Sequence, residues 1–239
     1  MPTELELRNM MPNKLKTYIG CKEGGAQHMD IVNTYNAIKP LPMGYKLKST
    51  DAWCAATVSA MASKCGFLDI VPAECSCVRQ IALWQKMGRW VENDAYVPKV
   101  GDIIYYDWDD SGKGDNTGAS DHVGIVCAVN GNNLRIIEGN KADTVAYRDI
   151  QVNGKFIRGY GIPDYAKKAT KPVQEEVDPM AKFKDTKHSA FEAQIDRVSD
   201  LGWLKGYVDG SFKPDQAVTR GQLAAILDRV AESLGLYKK

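Results

Sequence analysis

The segment from Lys99 to Tyr160 most limits the folds open to this chain, because it contains short strand-like runs joined by turns. The runs are rich in β-branched and aromatic residues, and Asn130-Gly131-Asn132-Asn133 is a strong hairpin signal between two of them. We predict an antiparallel set of strands within 99–107, 121–129, 134–138, 144–152 and 155–160.

The segment before these strands has a helical pattern. Its apolar residues recur at helical spacing in four ranges, 4–20, 28–38, 51–66 and 77–88. Helices followed by an antiparallel sheet predict an α+β domain.

A smaller domain is expected to follow, since 239 residues exceed one average domain. Residues 167–180 are polar, contain two prolines and have no apolar period, which predicts a linker. Helical spacing returns on both sides of a turn-rich stretch at 206–215. We therefore expect a first domain at 1–166 and an all-α two-helix module at 181–239.

Composition argues against several classes of function. A net charge of +1 argues against a nucleic-acid-binding protein, and no apolar run approaches the length needed to cross a membrane. The first residues lack the basic-then-apolar pattern of a secretory signal, so we expect synthesis in the cytoplasm and release by another route. Neither nucleic acid nor membrane is an expected partner.

The six cysteines are too few for a disulfide scaffold of this length, and a reducing compartment would keep them as thiols. Cys75-Ser76-Cys77 resembles half of a metal site, but no second Cys or His pair follows at zinc spacing. We expect no metal site and no cofactor.

Cys54 is a candidate nucleophile because it lies in the first turn of a predicted helix. Ser-Thr-Asp at 49–51 offers N-caps, Gly66 offers a terminator, and the residues between are mostly small and apolar. The positive end of the helix dipole and unpaired N–H groups favour a thiolate there. A small buried cysteine beside Trp53 is the commoner outcome, so partners elsewhere must decide.

A cysteine nucleophile needs a base and a group that orients the base. His188 lies beyond the predicted linker and His28 lies in a polar helix, whereas His122 opens an apolar strand after a flexible loop. His122 is therefore the preferred candidate.

The predicted hairpin gives a geometric test of that choice. Centring the turn on Gly131 makes paired residue numbers add up to about 262, so that His122 faces Asn140. Glu138 lies two residues earlier and shares a face with Asn140, because side chains alternate along a strand. A cluster of His122, Glu138 and Asn140 favours catalysis over a structural histidine.

Four motifs follow one another in the chain: Asp51-Ala-Trp-Cys54-Ala, Gly101-Asp-Ile-Ile-Tyr-Tyr, Asp121-His122-Val-Gly-Ile-Val and Ile137-Glu138-Gly-Asn140. Together they resemble the CHAP domain, a family of cysteine, histidine-dependent amidohydrolases/peptidases that includes phage endolysins and bacterial autolysins. The resemblance covers about residues 25–165 and implies a papain-like fold with helices packed on an antiparallel sheet. The related NlpC/P60 peptidases carry Asp-Cys-Ser-Gly at the nucleophile, whereas this chain has Trp-Cys-Ala.

The resemblance implies that Cys54 is the nucleophile, His122 the general base and Glu138 the group that orients it. Asn140 is then a fourth polar member that orients the ring or supports the oxyanion. The implied reaction cleaves an amide in the peptide part of bacterial peptidoglycan through a thioester. We expect an N-acetylmuramoyl-L-alanine amidase, with an endopeptidase of the same mechanism or a non-catalytic wall-binding protein as alternatives.

Some CHAP domains bind calcium through aspartates just before the nucleophile. Residues 44–51 hold one aspartate and two lysines here, which argues against such a site. Asp107, Asp109, Asp110 and Asp115 leave a second position open, and we interpret that stretch as a solvated acidic turn.

The C-terminal module carries Gly-x-Phe212-x-Pro214 followed by Thr219-Arg220, after an earlier Asp185. This pattern resembles an S-layer homology (SLH) motif. The resemblance implies binding of a secondary cell-wall polysaccharide through Asp185, Thr219 and Arg220, since an arginine fork suits a carboxylate-bearing ligand.

The module departs from the SLH pattern at two places. Gly221-Gln222 stands where the family usually has Ala-Glu, and the aromatic expected soon after the aspartate is shifted or replaced by Phe191. SLH motifs commonly work in threes, and the sequence has one copy, so a homo-oligomer could complete the site. A helical pair that serves only as an interaction arm is the alternative.

The two resemblances together predict a wall hydrolase that is held on its substrate by a targeting module. Bacterial peptidoglycan is the expected substrate, and the bacterial cell wall is the expected place of action. Without a secretory signal, an endolysin of a phage or prophage, released at lysis, fits better than a secreted autolysin.

Overall fold

The computed structural model describes residues 2–109, 117–170, 183–186, 189, 191–234 and 236. The chain divides into two compact units, Met1–Val173 and Gln174–Lys239. Residues 171–180 of the predicted linker lie outside the described residues, as do His188, Asp110 and Asp115.

Four helices precede the sheet in the first unit, as the sequence predicted. They are α1 (Glu4–Lys16), α2 (Ala26–Asn36), α3 (Cys54–Cys65) and α4 (Cys77–Lys86), with a single 3₁₀ turn at Pro42–Gly44 and a short α5 (Tyr165–Lys168) after the sheet. Helix α3 is buried from Cys54 to Ala62 and ends at Gly66 in the left-handed conformation, which confirms its expected burial and terminator.

The predicted N-cap of α3 within 49–51 is wrong. The helix begins after Trp53, and no side chain among the described residues caps its first N–H groups. The Asp51 carboxylate instead accepts hydrogen bonds from the Lys48 N–H and the Tyr45 hydroxyl, each at 2.8 Å, and so stabilises the preceding turn. Local turn formation therefore competes successfully with capping for this side chain.

The sheet has six antiparallel strands in the order β1-β6-β2-β3-β4-β5. The strands are β1 (Trp90–Val91), β2 (Ile103–Tyr106), β3 (His122–Asn130), β4 (Asn133–Lys141), β5 (Thr144–Gln151) and β6 (Ile157–Gly161). Strand β1, which the sequence analysis did not predict, pairs with β6 at the edge. The α+β class with an antiparallel sheet is confirmed.

The β3–β4 hairpin has nearly the predicted register. Ile125 pairs with Ile137, as the prediction requires, whereas Asn130 pairs with Asn133 beside the turn, one residue out of that register. The offset arises at a bulge between Val126 and Ala128, which the hairpin signal alone could not reveal.

Gly139 allows α3 to approach the sheet closely. A Cβ atom at this position would overlap the Thr57 side chain of α3. Because Gly139 lies between Glu138 and Asn140, the same close approach sets the helix that begins with Cys54 against the strand that carries these polar residues.

The described residues of the second unit form two helices, α6 (Glu192–Asp200) and α7 (Arg220–Ser233), as predicted for the C-terminal module. Ile195 of α6 is buried, and the Phe183 and Phe212 rings lie 5.2 Å apart. Across the described parts of both units, no helix combines the length and apolar character of a membrane span.

Candidate active site

Cys54 is the first residue of α3, and its side chain is almost completely buried. The preceding Trp53 is fixed by a hydrogen bond from its indole N–H to Glu23 at 3.1 Å and by the His28 ring, whose centroid is 4.8 Å away. His28 Nδ1 accepts a hydrogen bond from the Gly24 N–H at 2.9 Å. His28 therefore helps to hold the helix start.

His122 is the first residue of β3, and its Nε2 lies 3.1 Å from Oε2 of Glu138 on β4. The His122 ring also interacts with the Cys54 thiol, and this interaction lowers the pKa of Cys54 and raises that of His122. The structure thus brings the proposed nucleophile, base and orienting carboxylate into one chain of contacts.

Arg148 of β5 is a member of the site that the sequence analysis missed. Its Nε and a terminal nitrogen donate to the two oxygens of Glu138 at 2.7 and 3.0 Å. Its guanidinium also lies over the Tyr106 and Trp108 rings, 5.2 and 4.8 Å from their centroids. Arg148 therefore fixes the carboxylate that in turn fixes the His122 ring.

Asn140 lies at the rim of the site. It borders a shallow pocket together with His122, Trp108, Arg148 and Phe156. The strand alternation that predicted its direction stops here, since its φ is 58° and the β4–β5 register shifts between Glu138 and Lys141. Asn140 shares this pocket with His122 despite that irregularity.

Cys77 is a second thiol at the site that the sequence analysis did not assign to it. It begins helix α4, and its sulfur lies 3.7 Å from the Cys54 sulfur. Both helices begin with a cysteine, but the sequence pattern does not show that these two consecutive helices bring their first residues together.

The ionisation states follow from these contacts. The hydrogen bond from Cys77 lowers the pKa of Cys54 most, burial opposes it, and His122 adds to the lowering, so that the pKa lies well below the ordinary thiol value. The same hydrogen bond, together with burial, raises the pKa of Cys77 well above that value. The opposite pKa shifts favour the thiolate at Cys54 and the thiol at Cys77.

Burial alone would lower the pKa of His122, but its hydrogen bonds and charge interactions with Cys54 and Glu138 raise it to about 9. Burial alone would raise the pKa of Glu138, but His122 and Arg148 lower it. These shifts favour a thiolate at Cys54 and an imidazolium at His122 at neutral pH, beside the Glu138 carboxylate and the Arg148 guanidinium.

The predicted carbohydrate-binding residues lie in the second unit. The exposed Asp185 accepts hydrogen bonds from the backbone N–H groups of Phe212 and Lys213, both at 2.7 Å. Thr219 caps α7 in a reciprocal pair with Gln222. Gln222 thus performs the capping that a glutamate would perform at this position, which accounts for one departure from the SLH pattern.

Arg220 is exposed as the first residue of α7, next to Thr219. No group of three His, Cys, Asp or Glu side chains suited to a metal ion occurs in the described ranges. Part of the acidic stretch from Asp107 to Asp115, including Asp110 and Asp115, lies outside those ranges.

Comparison with known proteins adds the family assignments. The family model of the CHAP domain matches residues 44–140, and that of the S-layer homology domain matches residues 182–224. A solved structure titled "The crystal structure of Ly7917" is 17% identical, with 57% of this chain and 61% of that chain covered and a TM-score of 0.31. The chain thus spans less than two thirds of that structure's length, and no curated protein matches it. The two family matches confirm both resemblances found in the sequence: the chain carries a CHAP domain and, after it, an S-layer homology domain.

Proposed function

We propose that this protein cleaves an amide bond in the peptide part of bacterial peptidoglycan, with Cys54 as the nucleophile. A CHAP domain indicates a peptidoglycan hydrolase, and an SLH domain indicates attachment to the cell wall. The observation that supports the mechanism is the contact between His122 and Glu138 at 3.1 Å, together with the interaction of His122 with Cys54 that lowers the pKa of the thiol.

The proposed reaction is acyl transfer in two stages. The Cys54 thiolate attacks the amide carbonyl carbon, and the protonated His122 ring gives its proton to the leaving amine as the carbon–nitrogen bond breaks. Water, deprotonated by His122, then hydrolyses the thioester. Backbone N–H groups at the start of α3 and the Asn140 side chain at the pocket rim are the proposed donors to the oxyanion.

The proposed bond is the N-acetylmuramoyl–L-alanine amide, and a bond within the stem peptide or cross-bridge is the alternative. Digestion of purified Gram-positive peptidoglycan by the full chain, with mass spectrometry of the products, distinguishes them. Free stem peptides that begin with L-alanine would support the amidase, and cut stems or bridges the endopeptidase. Release of nothing from walls of several hosts, under reducing conditions, would contradict hydrolysis. Cys54→Ala is the matched control for contaminating hydrolases.

The alkaline side of the pH profile should report His122. We expect kcat/KM to fall as the pH rises through about 9, because the ring then loses the proton that the leaving amine needs. Activity should persist at neutral pH, since the lowered pKa of Cys54 keeps the thiolate populated there. The measurement is kcat/KM on a soluble muropeptide between pH 5 and 10. A fall near 6.5, the ordinary imidazole value, would contradict the proposed ion pair.

The second unit is proposed to hold the enzyme on an anionic wall polysaccharide. A groove in this unit is lined by three cationic side chains, Lys205, Lys213 and Arg229, beside the aromatic rings of Tyr207 and Phe212. Cations next to aromatic rings suit a sugar polymer with acidic groups, because the rings stack on sugar faces while the cations pair with the charges.

Removal of two groove cations should weaken wall binding. We expect Lys205→Gln/Lys213→Gln to lower affinity for purified walls at least about tenfold, the loss that follows when charged hydrogen bonds are removed. Sedimentation with walls measures this, in a Cys54→Ala background so that the wall stays intact. Lys86→Gln/Lys167→Gln removes the same charge from exposed positions of the first unit. An equal loss in that control, or no loss in the groove variant, would contradict a specific groove.

A further inference from the structure

The active site contains two thiols where the proposed hydrolysis needs one. The Cys54 and Cys77 sulfurs are 3.7 Å apart, and each belongs to the first residue of a helix. A disulfide requires sulfurs about 2.05 Å apart, so that less than 2 Å of closure separates the two states. Rotation about the side-chain bonds of two residues moves sulfurs over distances of this size.

The two thiols differ in reactivity, and in the order that disulfide formation requires. Cys77 and His122 lower the pKa of Cys54 and so favour its thiolate, and thiolates rather than thiols attack peroxides. Burial raises the pKa of the other four cysteines, Cys21, Cys65, Cys75 and Cys127. Oxidation should therefore begin at Cys54, with Cys77 as the nearest thiol to complete it.

We propose that Cys54 and Cys77 are a modification site, at which a peroxide converts the two thiols into a reversible disulfide. The Cys54 thiolate attacks one peroxide oxygen, the O–O bond breaks, and Cys54 becomes a sulfenic acid as hydroxide leaves. The Cys77 sulfur then attacks the Cys54 sulfur and forms the S–S bond. The sulfenic oxygen leaves as water with the Cys77 proton, so that the peroxide is reduced to hydroxide and water while the thiolate and the thiol are oxidised to the disulfide.

The disulfide would block the Cys54 thiolate and would also protect its sulfur from irreversible oxidation. Cys54 has no free thiolate while the bond exists, so hydrolysis stops; this consequence rests on the proposed function. A sulfenic acid without a neighbouring thiol is open to further oxidation to a sulfinic acid, which thiol reductants do not reverse. Cys77 is therefore proposed to keep the oxidised site recoverable.

The cross-link is tested on the full chain without any activity measurement. The reduced protein is treated with hydrogen peroxide, blocked by alkylation, digested without reductant and examined by mass spectrometry. We expect a peptide pair joined through Cys54 and Cys77, two hydrogens lighter than the sum of its parts, with the other four of the six thiols alkylated. Absence of this pair under conditions that oxidise Cys54 would overturn the proposal.

Recovery of activity tests the protective role. After peroxide, dithiothreitol should restore most of the wild-type rate, whereas Cys77→Ser should regain little of its own untreated rate and should carry sulfinic acid at Cys54. Cys127→Ser, which removes a buried thiol from β3, should recover like wild type. Equal recovery in Cys77→Ser and wild type would overturn the protective role. If the cross-linked pair forms in a protein that digests no wall, the proposed hydrolysis fails and the modification site stands.

Discussion

Replacement of Cys54 by alanine should lower kcat/KM on peptidoglycan by about 10⁵-fold or more, the scale of loss found when a hydrolase loses its nucleophile. The physical reason is that alanine has no sulfur to attack the amide carbonyl carbon, and the neighbouring thiol, Cys77, belongs to a different helix, α4. Release of soluble muropeptides, followed with time, is the measurement.

Two matched variants separate the loss of the nucleophile from damage to the fold. Cys54→Ser keeps the side-chain volume and should also be inactive, because a hydroxyl does not form an anion beside the imidazolium as a thiol does. Cys65→Ala removes the thiol at the other end of the same helix and should stay active. Residual activity in Cys54→Ala near the wild-type rate would overturn the assignment of Cys54.

The fold was predictable where the sequence pattern is local. Helical spacing, the Gly66 terminator and the hairpin at 130–133 each depend on a few neighbouring residues, and the structure has all three. Strand β1 and the bulge at Val126–Ala128 were missed because a two-residue strand has no period and a bulge follows from packing. The N-cap of α3 failed for a related reason, since Asp51 serves the preceding turn.

The site was predictable along one hairpin and not beyond it. The register of β3 with β4 was enough to bring His122 near Glu138, and a bulge of one residue did not spoil it. Arg148 could have been found by the same method, because Ala142-Asp143 lies between two predicted strands and the β4–β5 ladder runs back from it. The approach of Cys77 to Cys54 depends on how two helices pack, and single-sequence patterns do not carry that information.

Glu138 is the residue expected to hold the His122 ring in place and to favour its charged form. Its carboxylate is completely buried between His122 and Arg148. Glutamine has nearly the same shape, but it has no charge to hold the imidazolium, and its amide N–H group would face either the histidine N–H or the guanidinium. The ring would then lose part of its orientation and its raised pKa.

We therefore expect Glu138→Gln to lower kcat/KM by about 10² to 10⁴-fold, as loss of the orienting carboxylate does in related triads, and to move the alkaline limb below pH 9. Both are read from one pH profile on a soluble muropeptide. Glu74→Gln is the matched control, since Glu74 is also buried and also paired with an arginine, Arg79. It should share any loss of stability and keep the alkaline limb. A purely structural Glu138 would make the two profiles alike. A positioning residue makes them differ, because Glu138 contacts His122 and raises its pKa, whereas Glu74 pairs with Arg79.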